Sequence, residues 1–220
     1  MTAIFVTSSG TDIGKTYVSA LLVRQLRARG MPVRALKPVV SGIDEESFPA
    51  SDTAALLAAL GEPVDPDHAD LVSRWMFRAA LSPDMAARRE GKAIDFNELV
   101  NHCLARASLH DPLVIEGVGG LMVPLDDDHT VLDWMLALKE IELAPLLVVG
   151  SYLGTISHTL TTLDVMRRND LEPRAIVVSE SASAPVPLAE TVETLRRFTG
   201  GTPIVPLPRN GETDLAGLFA

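Results

Sequence analysis

Apolar positions along the chain gather into short runs at AIFVT (residues 3–7), VRALKP (33–38), LVIEG (113–117), PLLVVG (145–150) and RAIVVS (174–179), with a weaker PIVPL near the end. Most intervening segments carry a helical period instead, as in KTYVSALLVRQLRARG and SHTLTTLDVMRRND. Apolar strands alternating with amphipathic helices predict βαβ units and a parallel sheet covered on both faces. The fold class expected is therefore α/β, with a doubly wound, mostly parallel sheet flanked by helices. The long interval from about Gly42 to Leu109 holds helix-like SDTAALLAAL and DFNELVNHCLARASL without a convincing strand, and reads as a mostly helical excursion beside the sheet. Pro and Gly sit singly as turn punctuation, neither a repeat nor a low-complexity linker is visible, and residues 1–220 read as one domain.

Composition narrows the function. A hydrophobic content of 47% over 220 residues suffices for one sizeable core. The formal net charge of -10 argues against a nucleic-acid partner, because phosphate neutralisation needs clustered Lys and Arg. No apolar run reaches the roughly 18 residues of a membrane span, and no basic region precedes the first apolar stretch. A cytoplasmic protein with no membrane partner is expected. The single cysteine, Cys103, excludes an internal disulfide framework and reads as a buried helix residue in a reducing compartment, while the five histidines lack metal-ligand spacing. With Lys15, Lys37, Lys92 and Lys139 as its only lysines, this acidic chain must bind any anion by local chemistry, and two of the four lie near expected strand ends.

The first strand empties into TSSGTDIGKT, Thr7 to Thr16. A Walker A loop reads G-x-x-x-x-G-K-[ST]: its backbone N–H groups wrap phosphates, its lysine reaches the β and γ oxygens, and its hydroxyl ligates magnesium. Ser9 takes the first glycine position here, and Gly14-Lys15-Thr16 close the motif. A strand before it and a helix from about Lys15 would aim a positive helix end at the anion. The plainer alternative is a strand-to-helix turn with a capping residue. Glu116 ends the LVIE run at the edge where open α/β sheets bind ligands, and Gly117, Gly119 and Gly120 let the backbone pass close to one. It reads as a metal ligand or as a structural carboxylate. Lys37 leaves the second strand as a second phosphate-site charge or as a solvated lysine, and Ser41-Gly42 follow it. Asp52 opens a helix as a capping-region acid or joins the metal site. Asp126-Asp127-Asp128 reads as a solvated turn.

Taken together, FVTSSGTDIGKT, ALKPVVSG, SDTAALL, LSPDMAARREG, LVIEGVGGLMVPL, Asp133-Trp134 and LLVVGSYLGTISHTLTT resemble the dethiobiotin synthetases over nearly the whole chain. The resemblance implies a P-loop NTPase-like fold and a homodimer. It implies that MgATP and CO2 close the ureido ring of 7,8-diaminononanoate. Asp12, Ile13, Gly14, Lys15, Thr16 and Tyr17 would wrap ATP, joined by Asp52 and by Glu116, Gly117, Val118 and Gly119. Lys37 and Lys15 would be catalytic, with Lys37 and Ser41 touching substrate. Thr16, Asp52 and Glu116 would gather Mg2+. Gly154, Thr155 and Ile156 of the other subunit would hold the substrate carboxylate. The chain departs from the family twice. Its loop reads SSGTDIGKT where the family commonly has GTDTxVGKT, so Asp12 is one carbon shorter than the usual glutamate. Ser179-Glu180 also replaces an adenine-reading Asn-Asp pair. The second departure leaves the base to shape and backbone contacts, with Pro206, Leu207 and Pro208 as candidates, and predicts that other triphosphates such as CTP or GTP are accepted. The rival reading is a P-loop switch ATPase of the partitioning type, although Ser9-Gly10-Thr11 lacks that group's additional lysine and TDLAGLFA is no basic amphipathic helix.

Overall fold

A computed structural model describes residues 2–209 and 211–219. Strand β1 (Thr2–Ser8) leads through a loop into helix α1 (Lys15–Ala28), followed by β2 (Arg34–Leu36), β3 (Val39–Ser41), α2 (Asp52–Leu60) and β4 (Trp75–Phe77). Helices α3 (Pro83–Arg89) and α4 (Phe96–Ala107) precede β5 (Leu113–Glu116) and α5 (Val131–Ala137). The chain then alternates through β6 (Glu142–Val149), α6 (Thr155–Arg168), β7 (Ala175–Ser179), α7 (Leu188–Phe198) and β8 (Ile204–Leu207).

Six strands form one parallel sheet in the order β2-β5-β1-β6-β7-β8, with Phe5 in register with Ile115 on one side and Pro145 on the other. The strands read as continuous apolar runs because both faces are buried, and alternate residues serve different cores. Phe5, Leu113, Ile115, Leu147 and Ile176 face a core completed by Leu99 and Cys103 of α4, Trp134 of α5 and Leu195 of α7. Ile4, Val6, Val114, Leu146 and Val148 face the other, completed by Val18, Leu22 and Leu26 of α1 and by Leu56 and Leu57 of α2. Phe5 and Trp134 meet edge to face with ring centroids 4.9 Å apart.

The interval between Gly42 and Leu109 corrects the sequence reading in one respect. Its helices form as expected, but β3 and β4 also pair there in a parallel two-stranded sheet, Val40 opposite Met76. Each strand is three residues long, and β3 follows directly on Lys37-Pro38, where the sequence reading ended the second strand. Three backbone bonds tie the segment leading into β4 to Lys37-Pro38, from Trp75 N (2.8 Å) and Arg74 N (3.0 Å) to Pro38 O and from Lys37 N to Val72 O (2.9 Å).

A parallel sheet gathers all strand carboxyl ends at one edge. The chain winds from β1 first toward β2 and β5, then across to β6, β7 and β8, so the switch in winding direction falls at the carboxyl end of β1, where ligands of such sheets bind. Among the described residues no helix is long and apolar enough to cross a membrane.

Candidate active site

The loop between β1 and α1 is fastened to its neighbours: Ser9 N donates to Val148 O (3.3 Å) and Leu121 N to Ser8 O (2.9 Å). Asp12 (φ 56°) and Gly14 (φ 96°) are left-handed, which curls the chain so that it enters α1 directly at Lys15. A side chain on Gly14 would be strained by that φ and would also place its Cβ 2.7 Å from Ser179 Oγ. On the other flank a Cβ on Gly120 would sit 3.1 Å from Gly10 N, so the turn after β5 packs directly on the loop. The unbonded N–H groups of the first turn of a 14-residue helix therefore point into a concave, glycine-shaped loop.

Lys15 is buried and folds back, donating to Ser8 Oγ (3.1 Å) and Gly10 O (3.3 Å). Burial, helped by the ammonium of Lys37, lowers its pKa to about 8. Lys37 is also buried, and donates to Glu116 Oε1 at 2.7 Å, to Asp52 Oδ2, and at 3.4 Å to Thr16 Oγ1. Burial opposes its charge, but the carboxylates of Glu116 and Asp52 outweigh that and raise its pKa above the ordinary lysine value. Burial likewise works against the Asp52 carboxylate, and Lys37 reverses the balance to hold its pKa low. The helix cap that Asp52 could have supplied comes from Ser51, whose hydroxyl accepts from Ala54 N at 3.1 Å.

Thr16 donates to Glu116 Oε1 at 2.7 Å, while Glu116 Oε2 is buried without a hydrogen-bond partner. An acceptor in that state calls for a ligand. Two carboxylates and a hydroxyl are hard oxygen donors suited to Mg2+, with phosphate and water oxygens completing the shell. Thr16, Asp52 and Glu116 thus fit such an ion. Among the described residues no cluster of three or more His, Cys, Asp or Glu side chains offers a competing site.

Lys15, Thr16, Lys37 and Asp52 line a cavity of about 360 Å³ that also holds Thr11, Ser41, Val118 and Gly119, whereas Glu116 is buried and meets it only through its bonds to Thr16 and Lys37. A second cavity, of about 430 Å³, shares Asp12, Gly14 and Tyr17 with it and adds Ile13, Ser179, Glu180 and Pro208. Gly117 is buried against Phe5, where a Cβ would lie 3.1 Å from the ring. Pro206 and Leu207 belong to β8 and line neither cavity, nor do Gly154, Thr155 and Ile156 at the start of α6. The Asp126–Asp128 run is a turn in which Asp126 accepts from Asp128 N (2.8 Å) and His129 N (2.7 Å). Sequence reasoning missed Ser8, Ser181 and Arg209. Ser8 had a signal, a hydroxyl at the end of an apolar strand just before the loop, and the structure buries it fully; Ser181 and Arg209 sit in loops without pattern.

A sheet whose central strand empties through such a loop onto a helix start, with a strand-end acid bonded to the hydroxyl after the loop lysine, defines a P-loop nucleotide-binding protein. Residues 2–214 match a family described as an AAA domain. Two solved structures share the fold: a ParA family ATPase from Chlorobium tepidum TLS (TM-score 0.53, 14% identity, 94% of this chain and 84% of that one) and the MinC:MinD cell division complex of Aquifex aeolicus (TM-score 0.51, 12% identity, 94% and 81%). Such identities speak for the fold alone. The ATP-dependent dethiobiotin synthetase BioD of Methylobacterium nodulans is 48% identical over 206 residues, covering 91% of this chain and 90% of that protein. Its counterpart in Caulobacter sp. (strain K31) is 47% identical over 223 residues, covering 100% and 93%. The chain belongs to the dethiobiotin synthetase family.

Proposed function

We propose that this protein is an ATP-dependent ligase that carboxylates 7,8-diaminononanoate with CO2 and closes the ureido ring to give dethiobiotin. The observation that carries the reading is the convergence of Lys15, Lys37, Thr16 and Asp52 on one cavity beside the phosphate loop, with Glu116 bonded to Thr16 and Lys37 from below its surface, in a chain of this family.

One substrate amine attacks CO2, forming an N–C bond and a carbamate with loss of a proton. A carbamate oxygen then takes the γ-phosphoryl group, breaking the bond to ADP. The second amine attacks the carbamate carbon, and phosphate leaves as the ring closes. The substrate supplies both nucleophiles, so the protein's task is alignment and charge stabilisation. Lys15 opens α1 with its ammonium folded back onto the loop, where it can follow the β and γ oxygens through phosphoryl transfer. Lys37, kept charged by its two carboxylates, can offset the charge of the carbamate and of the phosphoryl group received by it. Ser41 lines the same cavity and suits a contact to the diamine. Thr16, Asp52 and Glu116 would hold Mg2+, which when bound neutralises phosphate charge.

The start of α6 at Gly154, Thr155 and Ile156 suits a carboxylate, and its place outside both cavities fits service to the partner in a homodimer. The chain is proposed to act as a single domain in the cytoplasm. The test is nucleotide turnover with each substrate withheld in turn. Release of ADP and phosphate is expected only when the diamine and bicarbonate are both present. Hydrolysis indifferent to the diamine and stimulated by lipid or DNA would replace this reading with the switch ATPase.

A further inference from the structure

A separate cavity of about 110 Å³ lies at the outer edge of β2 and shares no residue with either cavity of the nucleotide cleft. Arg34, Arg106 and His110 supply its polar wall, and Leu60, Leu71 and Leu113 its apolar one. Strand β2 ends the sheet on that side. Arg34 N donates to Pro112 O at 3.3 Å, which fixes the pleat: Arg34 and Leu36 turn their backbone groups to β5, and Ala35 turns its N–H and C=O outward. Two residues further on, the same edge is closed by the bond from Lys37 N to Val72 O at 2.9 Å. At Ala35 it is open. Neither backbone group has a partner among the described residues, although the residue is only 1% exposed. Buried backbone groups in that state, lining a cavity, call for a polar occupant.

The charge of the polar wall selects that occupant. In a chain of net charge -10, two guanidinium groups and an imidazole meet here with one carboxylate among them. That carboxylate is Glu62, whose Oε1 takes a single donor of Arg34 at 2.6 Å and leaves the rest of the fork free. The half-buried Arg106 guanidinium has no hydrogen-bond or ion-pair partner among the described residues. Burial, and then those two guanidinium groups, hold the His110 imidazole below the ordinary histidine value, so it stands beside them as a neutral N–H donor. The wall opposite is leucine. A phosphate would have to press hydrated oxygens against Leu60, Leu71 and Leu113, whereas an alkyl chain gains by covering them. The space equals about four water molecules, enough for a carboxylate and one or two methylenes. A longer chain would leave across Leu71, which is 41% exposed.

We propose that this cavity is a second ligand site, which takes the carboxylate end of an aliphatic acid. The carboxylate accepts from Ala35 N, from Arg106 and from the free donors of Arg34, and its methylenes lie on Leu60, Leu71 and Leu113. A guanidinium fork beside a fixed backbone N–H matches the planar, two-oxygen shape of that group. Free alkyl acids and the acid released by the proposed reaction share this chemistry. No residue of the phosphate-loop site takes part, so a negative result here leaves the ligase reading standing.

The test is an NMR titration of the whole nitrogen-15-labelled chain with butanoate at constant ionic strength, read at the Ala35 amide. A saturable shift with a Kd of about 1 mM is expected, and Arg106→Ala should weaken it about tenfold, as loss of a hydrogen bond to a charged group implies. Butylamine, with the same tail and the opposite charge, should leave the amide where it is. No saturable shift in the wild type overturns the proposal without recourse to any variant. So does an equal response to butylamine, or to inorganic phosphate, which would mark a general anion patch. An Arg106→Ala protein that keeps both its thermal melting transition and the wild-type Kd overturns it as well. Octanoate and dethiobiotin are titrated in the same way to separate the sources, and the one with the lower Arg106-dependent Kd is assigned to the site. Failure of both would contradict the exit of the chain across Leu71.

Discussion

Lys37 and Glu116 are the most tightly determined side chains of the site, both buried and joined at 2.7 Å. Lys37→Ala removes the charge that faces the reacting groups, and kcat for dethiobiotin formation is expected to fall by about a hundredfold or more. The same change leaves Glu116 buried without its cation, so the urea midpoint should also drop, by a stability loss on the order of 3 kcal/mol. Unchanged turnover would remove Lys37 from the mechanism, and an unchanged midpoint would mean that the ion pair adds nothing to the fold. Glu116→Gln and Asp52→Asn should each raise the magnesium concentration giving half-maximal rate, because each removes a charge from an oxygen site for a hard cation. Titrations superimposable on wild type would make both acids structural. Lys15 yields a pH test in metal-free protein with EDTA. Its folded pKa of about 8 lies below the ordinary lysine value, so its buried charge disfavours folding below about pH 8 and the penalty fades as pH rises toward the unfolded pKa. A polyphosphate favours the ammonium form, so ATP binding near pH 8 should take up about half a proton and weaken as pH rises further. Calorimetry in two buffers of different ionisation enthalpy measures that uptake, and none at all would contradict the assigned charge state. Lys15 and Thr16 were legible in the sequence because a spaced motif names them. Lys37, Asp52 and Glu116 each stood between a structural and a functional reading, because their meeting depends on three chain segments converging.

At the scale of elements, the loop and its flanking turns carry the consequence. Gly120→Ala would drive a Cβ to within 3.1 Å of Gly10 N and 3.2 Å of its Cα, backbone that cannot step aside. ATP affinity is expected to fall, by about tenfold or more, while the melting temperature changes little, and equal affinity would show that the turn after β5 does not shape the loop. Ser51→Ala removes the cap of α2 and should cost about 1 kcal/mol in equilibrium unfolding. The long strands and helices could be read from periodicity because they complete several periods, and their boundaries shifted by a residue or more, as with β6 starting at Glu142 ahead of the PLLVV run. The β3–β4 pair could not be read. β3 continues the VRALKP run across Pro38, and β4 finds its partner 36 positions back along the chain, Val39 opposite Trp75.

For the whole molecule, the doubly wound layout follows from apolar strands that feed two cores with alternate residues, so the class of fold was legible from pattern alone. The edge at which six carboxyl ends meet then fixes where chemistry can occur. Which chemistry occurs depends on sites that the fold leaves open, since a ParA family ATPase and a cell division protein complex share this architecture at 12–14% identity. The most direct test is therefore the product. Purified protein is incubated with 7,8-diaminononanoate, MgATP and carbon-13 bicarbonate, and the mixture is read by mass spectrometry. The account predicts dethiobiotin carrying the label at its ureido carbon, formed in step with ADP. ADP formed without labelled dethiobiotin would contradict it.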